Sequence, residues 1–222
     1  MSVSFDVISI GCLSRQELWN EKVPVRAAHA TTTLVRDERI TLIVDPSLPV
    51  QLLERLLHDR SGLRPDQVEA VFLTTFRPVH RRGLALFGRA TWLMAAEEIK
   101  AVRAHLRHTR EQAAGQPETL ELVGEELAVL ERLQAAPDQI SPQIHLFPTP
   151  GASAGSASLL LVPANRTIAV AGDAVLTREH FERGQVFNRS FDAAKAGESL
   201  MELAQVADII VPGHDNVFVP YR

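Results

Sequence analysis

Strand-like segments alternate with amphipathic helical segments along this chain, and this alternation limits the folds that the sequence can form. Thr31–Val35 and Ile40–Val44 are β-branched runs that flank a charged turn, the pattern of a β-hairpin. Residues 48–58 then change period, with leucines at helical spacing, and Val68–Leu73 returns to a strand. An order with both hairpins and helical crossovers predicts two sheets covered by helices.

The middle of the chain has a longer helical pattern. Residues 95–110 and the segment after the break at 115–117 both carry apolar residues at helical spacing. We therefore expect a helical hairpin, inserted at about residues 95–137. The second helix has an apolar stripe formed by Leu120, Val123, Leu127 and Leu130. Packing within the domain is the preferred explanation of this stripe, and a dimer interface is the alternative.

The last third is again rich in strands. Predicted strands at 144–147, 156–162 and 167–171 precede a helix at about 191–206 and a final strand at 208–211. Between the first strands and the insertion, Thr74–His80 is expected to be a polar loop. No linker or internal repeat interrupts the chain, so residues 1–222 are expected to form a single domain.

Composition and charge exclude several classes of partner. The 222 residues are 45% hydrophobic and 23% charged, which is ordinary for a globular protein. A net charge of −4 and a pI near 6.1 predict binding neither to nucleic acid nor to a membrane surface. The lone Cys12 precludes an intramolecular disulfide, and no signal peptide or membrane span is predicted. We therefore expect a cytoplasmic protein.

Five short strings occur in a fixed order: 30–35 with 43–46, then 71–74, 148–151, 171–173 and 211–214. Each string is a weak signal, but together they resemble the metallo-β-lactamase-fold hydrolases, and the resemblance covers most of the chain. It implies an α/β fold, a four-layer αββα sandwich of the metallo-β-lactamase type with an inserted helical hairpin.

In that family, histidines and aspartates hold two metal ions. The first ion is bound by two histidines of an H-x-H-x-D-H motif and by a histidine after a Pro-Gly turn. The second is bound by the last two residues of the motif and by a final histidine, and one aspartate bridges both ions. The resemblance places the bridging aspartate at Asp173 and the histidines of the second ion at His80 and His214.

This sequence departs from the family at four positions. The motif segment reads Thr75-Phe76-Arg77-Pro78-Val79-His80, and the histidine after the Pro-Gly turn is replaced. The vestigial positions are thus Thr75, Arg77, Val79 and Ala152. His80, Asp173 and His214 remain, and they are the candidate ligands of one divalent ion, either zinc, iron or manganese, or of none.

Arg77 replaces a histidine that binds the first ion in the family. Three interpretations of its side chain arise. The guanidinium can pair with Asp173 in a two-pronged contact and replace the missing cation. It can instead bind an anionic substrate, or it can point to solvent, as arginine commonly does. A lone buried Asp173 would be costly, which favours the pairing.

Two classes of function follow. The preferred one is a protein with little or no catalysis that binds a small ligand in the vestigial cleft, and an anion is one candidate for this ligand. The alternative is a single-metal hydrolase of an ester, lactone or thioester, in which Asp173 and Arg77 are catalytic: Asp173 orients the attacking water, and Arg77 stabilises developing negative charge. Small-molecule ligands or substrates are the expected partners, together with a second copy in a homodimer.

A third arrangement of residues would indicate a different class of enzyme, a serine hydrolase. Gly151–Gly155 fits the G-x-S-x-G motif, and Ser153, Asp173 and His214 follow the chain order of a serine hydrolase. That motif requires a helix after the serine, whereas a strand is predicted there. A serine hydrolase is therefore disfavoured. Among the other histidines, His29 and His180 are candidates to line the cleft.

Overall fold

The computed structural model describes residues 2–221, which form two β-sheets and six α-helices. In the first sheet, neighbouring strands follow the order β1 (Ser4–Ser9), β2 (Thr32–Arg36), β3 (Thr41–Val44), β4 (Ala70–Leu73), β5 (Thr91–Met94) and β6 (Gln134–Ala135). In the second, the order is β7 (Gln139–Ser141), β8 (Ile144–Pro148), β9 (Ala157–Leu161), β10 (Ile168–Gly172) and β11 (Ile209–Pro212). The helices are α1 (Val50–Ser61), α2 (Pro78–Arg81), α3 (Ala96–Gln112), α4 (Pro117–Arg132), α5 (Arg178–Glu182) and α6 (Ala193–Val206).

Strands of the first sheet are apolar on both faces, because both faces are covered. Ile43 and Val71 belong to a core shared with α1, α3 and α4. Leu42, Val44 and Phe72 belong to a second core, shared with the strands of the other sheet. The first sheet is therefore a buried layer between helices and the second sheet.

The outer face of the second sheet is covered as well. Ala169 and Ile210 share a third core with Leu200 and Leu203 of α6 and with Phe181, which lies on α5. Helices thus lie outside both sheets, which confirms the predicted αββα sandwich. None of the helices within residues 2–221 is long and apolar enough to cross a membrane.

The predicted helical hairpin is formed by α3 and α4, which contact each other. Val123 and Leu130 of the apolar stripe lie in the core beside the first sheet, and Leu127 packs against it, whereas Leu120 is partly exposed. Most of the stripe therefore stabilises its own domain. The chain leaves α4 directly into β6, which forms an edge of the first sheet.

One expectation about the motif segment is wrong. Thr74–His80 does not remain a loop throughout, because the short helix α2 begins at Pro78 and carries His80. Proline suits the first turn of a helix, where no amide hydrogen bond is lost. The residue before a proline avoids helical geometry, and Arg77 accordingly has an extended backbone, with φ −57° and ψ 137°.

Candidate functional site

The site lies where strands of both sheets end. Asp45 follows β3, and the motif segment that begins at Thr74 follows β4, its parallel neighbour. Asp173 and the turn that carries His214 follow β10 and β11, which are also parallel. Parallel strands present their carboxyl ends at one edge of a sheet, so side chains from distant parts of the sequence meet here.

Asp173 lies at the centre of this group. Its Oδ1 atom is 3.1 Å from Nε2 of His80 and 3.2 Å from Nε2 of His214. All three residues are buried, and one potential ligand atom from each lies within 4.8 Å of the others. The structure thus brings together the three candidate ligands named from the sequence, and metal binding by them stays a prediction.

Close backbone packing holds this arrangement. Gly172 has a positive φ of 54°, and a Cβ atom there would lie 2.4 Å from Oγ1 of Thr74. Only glycine tolerates both the left-handed backbone and the contact. The ends of β4 and β10 can therefore approach closely enough for Asp173 to reach His80.

Arg77 is paired, as one of the three sequence interpretations proposed. Its Nη1 atom is 2.6 Å from Oδ2 of Asp173, whose side chain is only 2% exposed. The expected two-pronged contact with the carboxylate is not formed, because Nη2 donates to the carbonyl of Ala152 at 2.5 Å. The guanidinium also lies 5.0 Å from the ring centre of Phe187. With 27% of its side chain exposed, Arg77 does not extend into solvent.

The two histidines have fixed ring orientations. Nδ1 of His80 lies 2.9 Å from Oδ2 of Asp45. The same Oδ2 accepts a hydrogen bond from the hydroxyl of Thr74, and Oδ1 of Asp45 accepts one from the amide of Thr74. Nδ1 of His214 lies 2.9 Å from the carbonyl oxygen of His29 and 3.3 Å from that of Cys12. Each Nδ1 therefore faces hydrogen-bond acceptors, and each Nε2 faces Asp173.

These contacts change the acidities of the group. Burial opposes protonation of His80, but the charges of Asp173 and Asp45, with their hydrogen bonds, outweigh it and raise the pKa of His80 to about 10. Burial disfavours the charged form of Asp173, yet the charge of His80 and the hydrogen bonds from both histidines hold its pKa well below the usual value. With no ion bound, His80 is therefore an imidazolium between two carboxylates.

Comparison with known proteins identifies the family. Residues 25–214 match the family model described as the metallo-beta-lactamase superfamily. The chain belongs to this superfamily. A search among curated proteins found no match.

Solved structures of superfamily members share the fold at low sequence identity. AidC, a dizinc quorum-quenching lactonase, is 16% identical with a TM-score of 0.67, over 83% of this chain and 72% of that chain. The hydrolase AbOPH is 17% identical with a TM-score of 0.67, over 100% and 92% of the two chains. A variant of AiiA from B. thuringiensis is 19% identical with a TM-score of 0.65, over 97% and 94%.

A centre with two ions, as in the dizinc neighbour, does not fit this member of the superfamily. Ala152 and Val79 offer no ligand atom in their side chains. The hydroxyl of Thr75 donates to Glu98 at 2.9 Å, and the guanidinium of Arg77 occupies Oδ2 of Asp173. The place of the first ion in the family pattern thus holds a permanent cation, and residues 2–221 offer no second group of metal ligands beside His80, Asp173 and His214.

The remaining donors could hold a single divalent ion, because their three ligand atoms lie within 4.8 Å of one another. Tetrahedral zinc with bonds of about 2.0–2.1 Å requires ligand atoms about 3.3 Å apart. The separations from Oδ1 of Asp173 to the two Nε2 atoms are 3.1 and 3.2 Å. Acceptors at both Nδ1 atoms would keep hydrogen there and leave the Nε2 lone pairs for the ion, the usual arrangement of metal-bound histidine.

A buried carboxylate, which the sequence did not reveal, supports the loops of the site. Glu98 lies in the first turn of α3 and is 2% exposed. Within 3.2 Å, it accepts hydrogen bonds from the hydroxyls of Thr75 and Ser153 and from the amides of Phe76 and Gly155. It therefore joins the loop that carries Arg77 to the loop that carries its acceptor Ala152. Only its place at a helix N-terminus, where acidic residues are common, hints at this role.

Replacing Glu98 with alanine is expected to lower the free energy of unfolding by about 2–4 kcal/mol, because buried donors would lose their acceptor. The neighbouring Glu97 provides a matched control, since it is exposed on the same helix. Its replacement with alanine should change stability by no more than about 0.5 kcal/mol. Urea denaturation measures both values, and equal effects of the two substitutions would contradict the supporting role of Glu98.

The serine-hydrolase arrangement is not present in the structure. Ser153 lies in the turn between β8 and β9, so no helix follows it. Its hydroxyl donates to Glu98 at 2.7 Å rather than to a histidine. Ser153 is therefore part of the loop support and not a nucleophile.

A cleft of about 1080 Å³ opens in front of Asp173 and is large enough for a small molecule. Its wall includes Arg77, Val79 and His214 together with residues of the segment 13–18. His180 lines this cleft, as the sequence suggested. The ring of His29 instead contacts the segment after β1, with Nε2 3.0 Å from the carbonyl oxygen of Ile10.

Proposed function

We propose that this superfamily member binds a small amphipathic anion in the cleft and has little or no hydrolytic activity. The observation that carries the proposal is the ion pair between Arg77 and Asp173. It puts a fixed positive charge beside the cleft, where the family pattern has the first metal ion. A cation in that place can attract an anion. It cannot replace two metal ions that together stabilise the attacking and the leaving oxygen of a reaction.

The charge of the cleft supports an anionic ligand. Arg15, Arg77 and Arg189 line it, against the carboxylates of Glu17 and Asp173. The guanidinium of Arg189 makes no ion pair or hydrogen bond with any of residues 2–221 and is exposed. The cleft is thus locally positive in a chain whose net charge is −4.

The rest of the wall supports an apolar tail on that anion. It includes the side chains of Leu13, Leu18, Pro24, Leu176, Val186 and Phe187. The AiiA variant was solved with N-decanoyl-L-homoserine at its active site, a carboxylate that carries an acyl chain. A ligand of this chemical class would match both parts of the cleft, with the carboxylate at the arginines.

Calorimetry with N-decanoyl-L-homoserine and its uncharged lactone tests the proposal. We expect the carboxylate to bind about 10-fold more tightly than the lactone, the effect of one charge-assisted contact. The substitution Arg189→Gln should remove most of this preference. Arg183→Gln is the control, because Arg183 is exposed and pairs with Glu179 outside the cleft wall. Equal affinity for the two compounds, or binding of neither, would refute an anion site.

A second function is supported by the donor arrangement at Asp173. In it, the protein is a single-metal hydrolase of an ester, lactone or thioester. His80, Asp173 and His214 would hold the ion, which would supply a Lewis acid for the substrate carbonyl. Arg77 would bind the negative charge that develops on the substrate, and Asp173 would orient water. The two functions differ in one measurable property, since only the second predicts turnover of the lactone.

Some expectations from the sequence accompany both functions. We retain zinc, iron and manganese as the candidate ions, and a cytoplasmic location. We also retain a single domain over residues 1–222 and a homodimer as proposals.

A further inference from the structure

We propose that His180 binds the ligand by donating a hydrogen bond from its Nε2–H to an oxygen atom of the ligand's anionic head. This inference rests on the proposed binding function and names a residue that contacts the ligand. His180 is neither one of the candidate metal ligands nor a partner of Arg77. Four properties of its surroundings support this role.

The first is its position. His180 lies on α5, directly after the turn that begins at Asp173, and its imidazole lines the same cleft as Arg77 and His214. Only 6% of the residue is exposed. A nearly buried polar ring at the wall of a cleft is placed to contact a bound molecule rather than bulk solvent.

The second is its fixed orientation. Thr177 is the N-cap residue of α5, and its hydroxyl oxygen accepts a hydrogen bond from the backbone amide of His180 at 3.3 Å. The same oxygen lies 2.8 Å from Nδ1 of the imidazole. The ring is therefore held from its Nδ1 side, and the Nε2 side is the free edge.

The third is the position of the ring hydrogen. Oγ1 of Thr177 already accepts a hydrogen bond from the backbone amide of His180. Within the described residues 2–221, Nδ1 of His180 is the acceptor for the hydroxyl hydrogen of Thr177. If the hydroxyl donates to Nδ1, that nitrogen carries a lone pair. The hydrogen of the neutral ring is then on Nε2. Burial lowers the pKa of His180 and so favours this neutral form at pH 7.

The fourth is the unused donor itself. Nε2 of His180 makes no hydrogen bond with any atom of residues 2–221. Nε2 is not among the fully buried polar atoms of these residues that lack a partner, so it is accessible from the cleft that His180 lines. An oxygen acceptor on a ligand in the cleft would satisfy this donor, beside the positive charges of Arg77 and Arg189.

Two substitutions separate ligand binding from a structural role. The amide nitrogen of glutamine reaches the place of Nε2, whereas that of asparagine reaches the place of Nδ1. His180→Gln therefore retains a donor toward the cleft, and His180→Asn retains only the contact with Thr177. We expect the asparagine variant to bind N-decanoyl-L-homoserine about 10-fold more weakly than the unmodified protein, and the glutamine variant within about 3-fold of it.

Calorimetry gives the affinities, and thermal unfolding verifies that both variants are folded. The reverse order, with asparagine tolerated and glutamine impaired, would show a structural role and overturn the proposal. Equal binding by all three proteins would also overturn it while leaving the anion site intact. If the unmodified protein does not bind the carboxylate at all, the proposed function fails, and this inference fails with it.

Nitrogen NMR of the histidine rings gives an independent readout. In the free protein at pH 7, His180 is expected to carry its hydrogen on Nε2, and this signal should shift when N-decanoyl-L-homoserine is added. A hydrogen on Nδ1, or a signal unaffected by bound ligand, would contradict the donor role.

Discussion

Replacing Arg77 with leucine is expected to lower the free energy of unfolding by about 2–4 kcal/mol, because Asp173 would remain buried with one cation fewer beside it. The carbonyl of Ala152 would lose a donor as well. Binding of N-decanoyl-L-homoserine should fall at least about 10-fold, since the cleft loses its innermost positive charge. Urea denaturation and calorimetry measure the two effects.

Two further variants assign the cause of the effect. Arg77→Lys keeps the charge but offers one ammonium group where the guanidinium contacts Asp173 and Ala152 at once, so an intermediate loss is expected. Arg82 is exposed five positions along the chain. Its replacement with leucine should change stability by no more than about 0.5 kcal/mol. If Arg77→Leu were as mild as the Arg82 variant, the ion pair would have no role in the fold.

The second large effect concerns metal. After incubation with zinc and removal of excess, we expect the protein to retain one equivalent and not two, because residues 2–221 contain one complete group of donors. His214→Ala should retain none. Asp45→Asn should bind zinc about 10–100-fold more weakly, because Asp45 orients the ring of His80. Elemental analysis and competition with a chelator measure stoichiometry and affinity.

A control is available on the surface of the same fold. His58 is exposed on α1, remote from the strand ends, and His58→Ala should leave zinc stoichiometry unchanged. Retention of two equivalents, or of one equivalent by His214→Ala, would exclude the proposed site. Lactone hydrolysis that requires the retained ion would favour the second function over simple binding.

The fold and the centre of the site were predictable from the sequence because both depend on short strings in a fixed order. A strand followed by Gly-Asp, or by Pro-Gly-His, is a weak signal alone, but the strings in this order predicted that Asp173 and His214 lie at strand ends. The same reasoning predicted that Arg77 would meet Asp173. Arg77 makes one contact with Asp173 instead of the expected two-pronged contact, because its Nη2 atom donates to the carbonyl of Ala152. A backbone acceptor of this kind cannot be recognised from residue types.

The supporting residues were not predictable for a related reason. Glu98 looked like any acidic residue of an amphipathic helix, because its partners lie in loops up to 57 positions away. His180 was only a candidate for the cleft, since the direction of its ring depends on Thr177 and on the start of α5. Such roles arise from contacts between elements rather than from spacing within one.

The pair formed by Arg77 and Asp173 can form only late in the synthesis of the chain, because 96 positions separate the two residues. During synthesis, the arginine emerges long before the carboxylate with which it pairs, and the two residues follow strands of different sheets. The cleft therefore cannot exist in a partly made chain. Ligand binding thus requires that the two halves of the sandwich have docked, and a bound ligand stabilises the docked state.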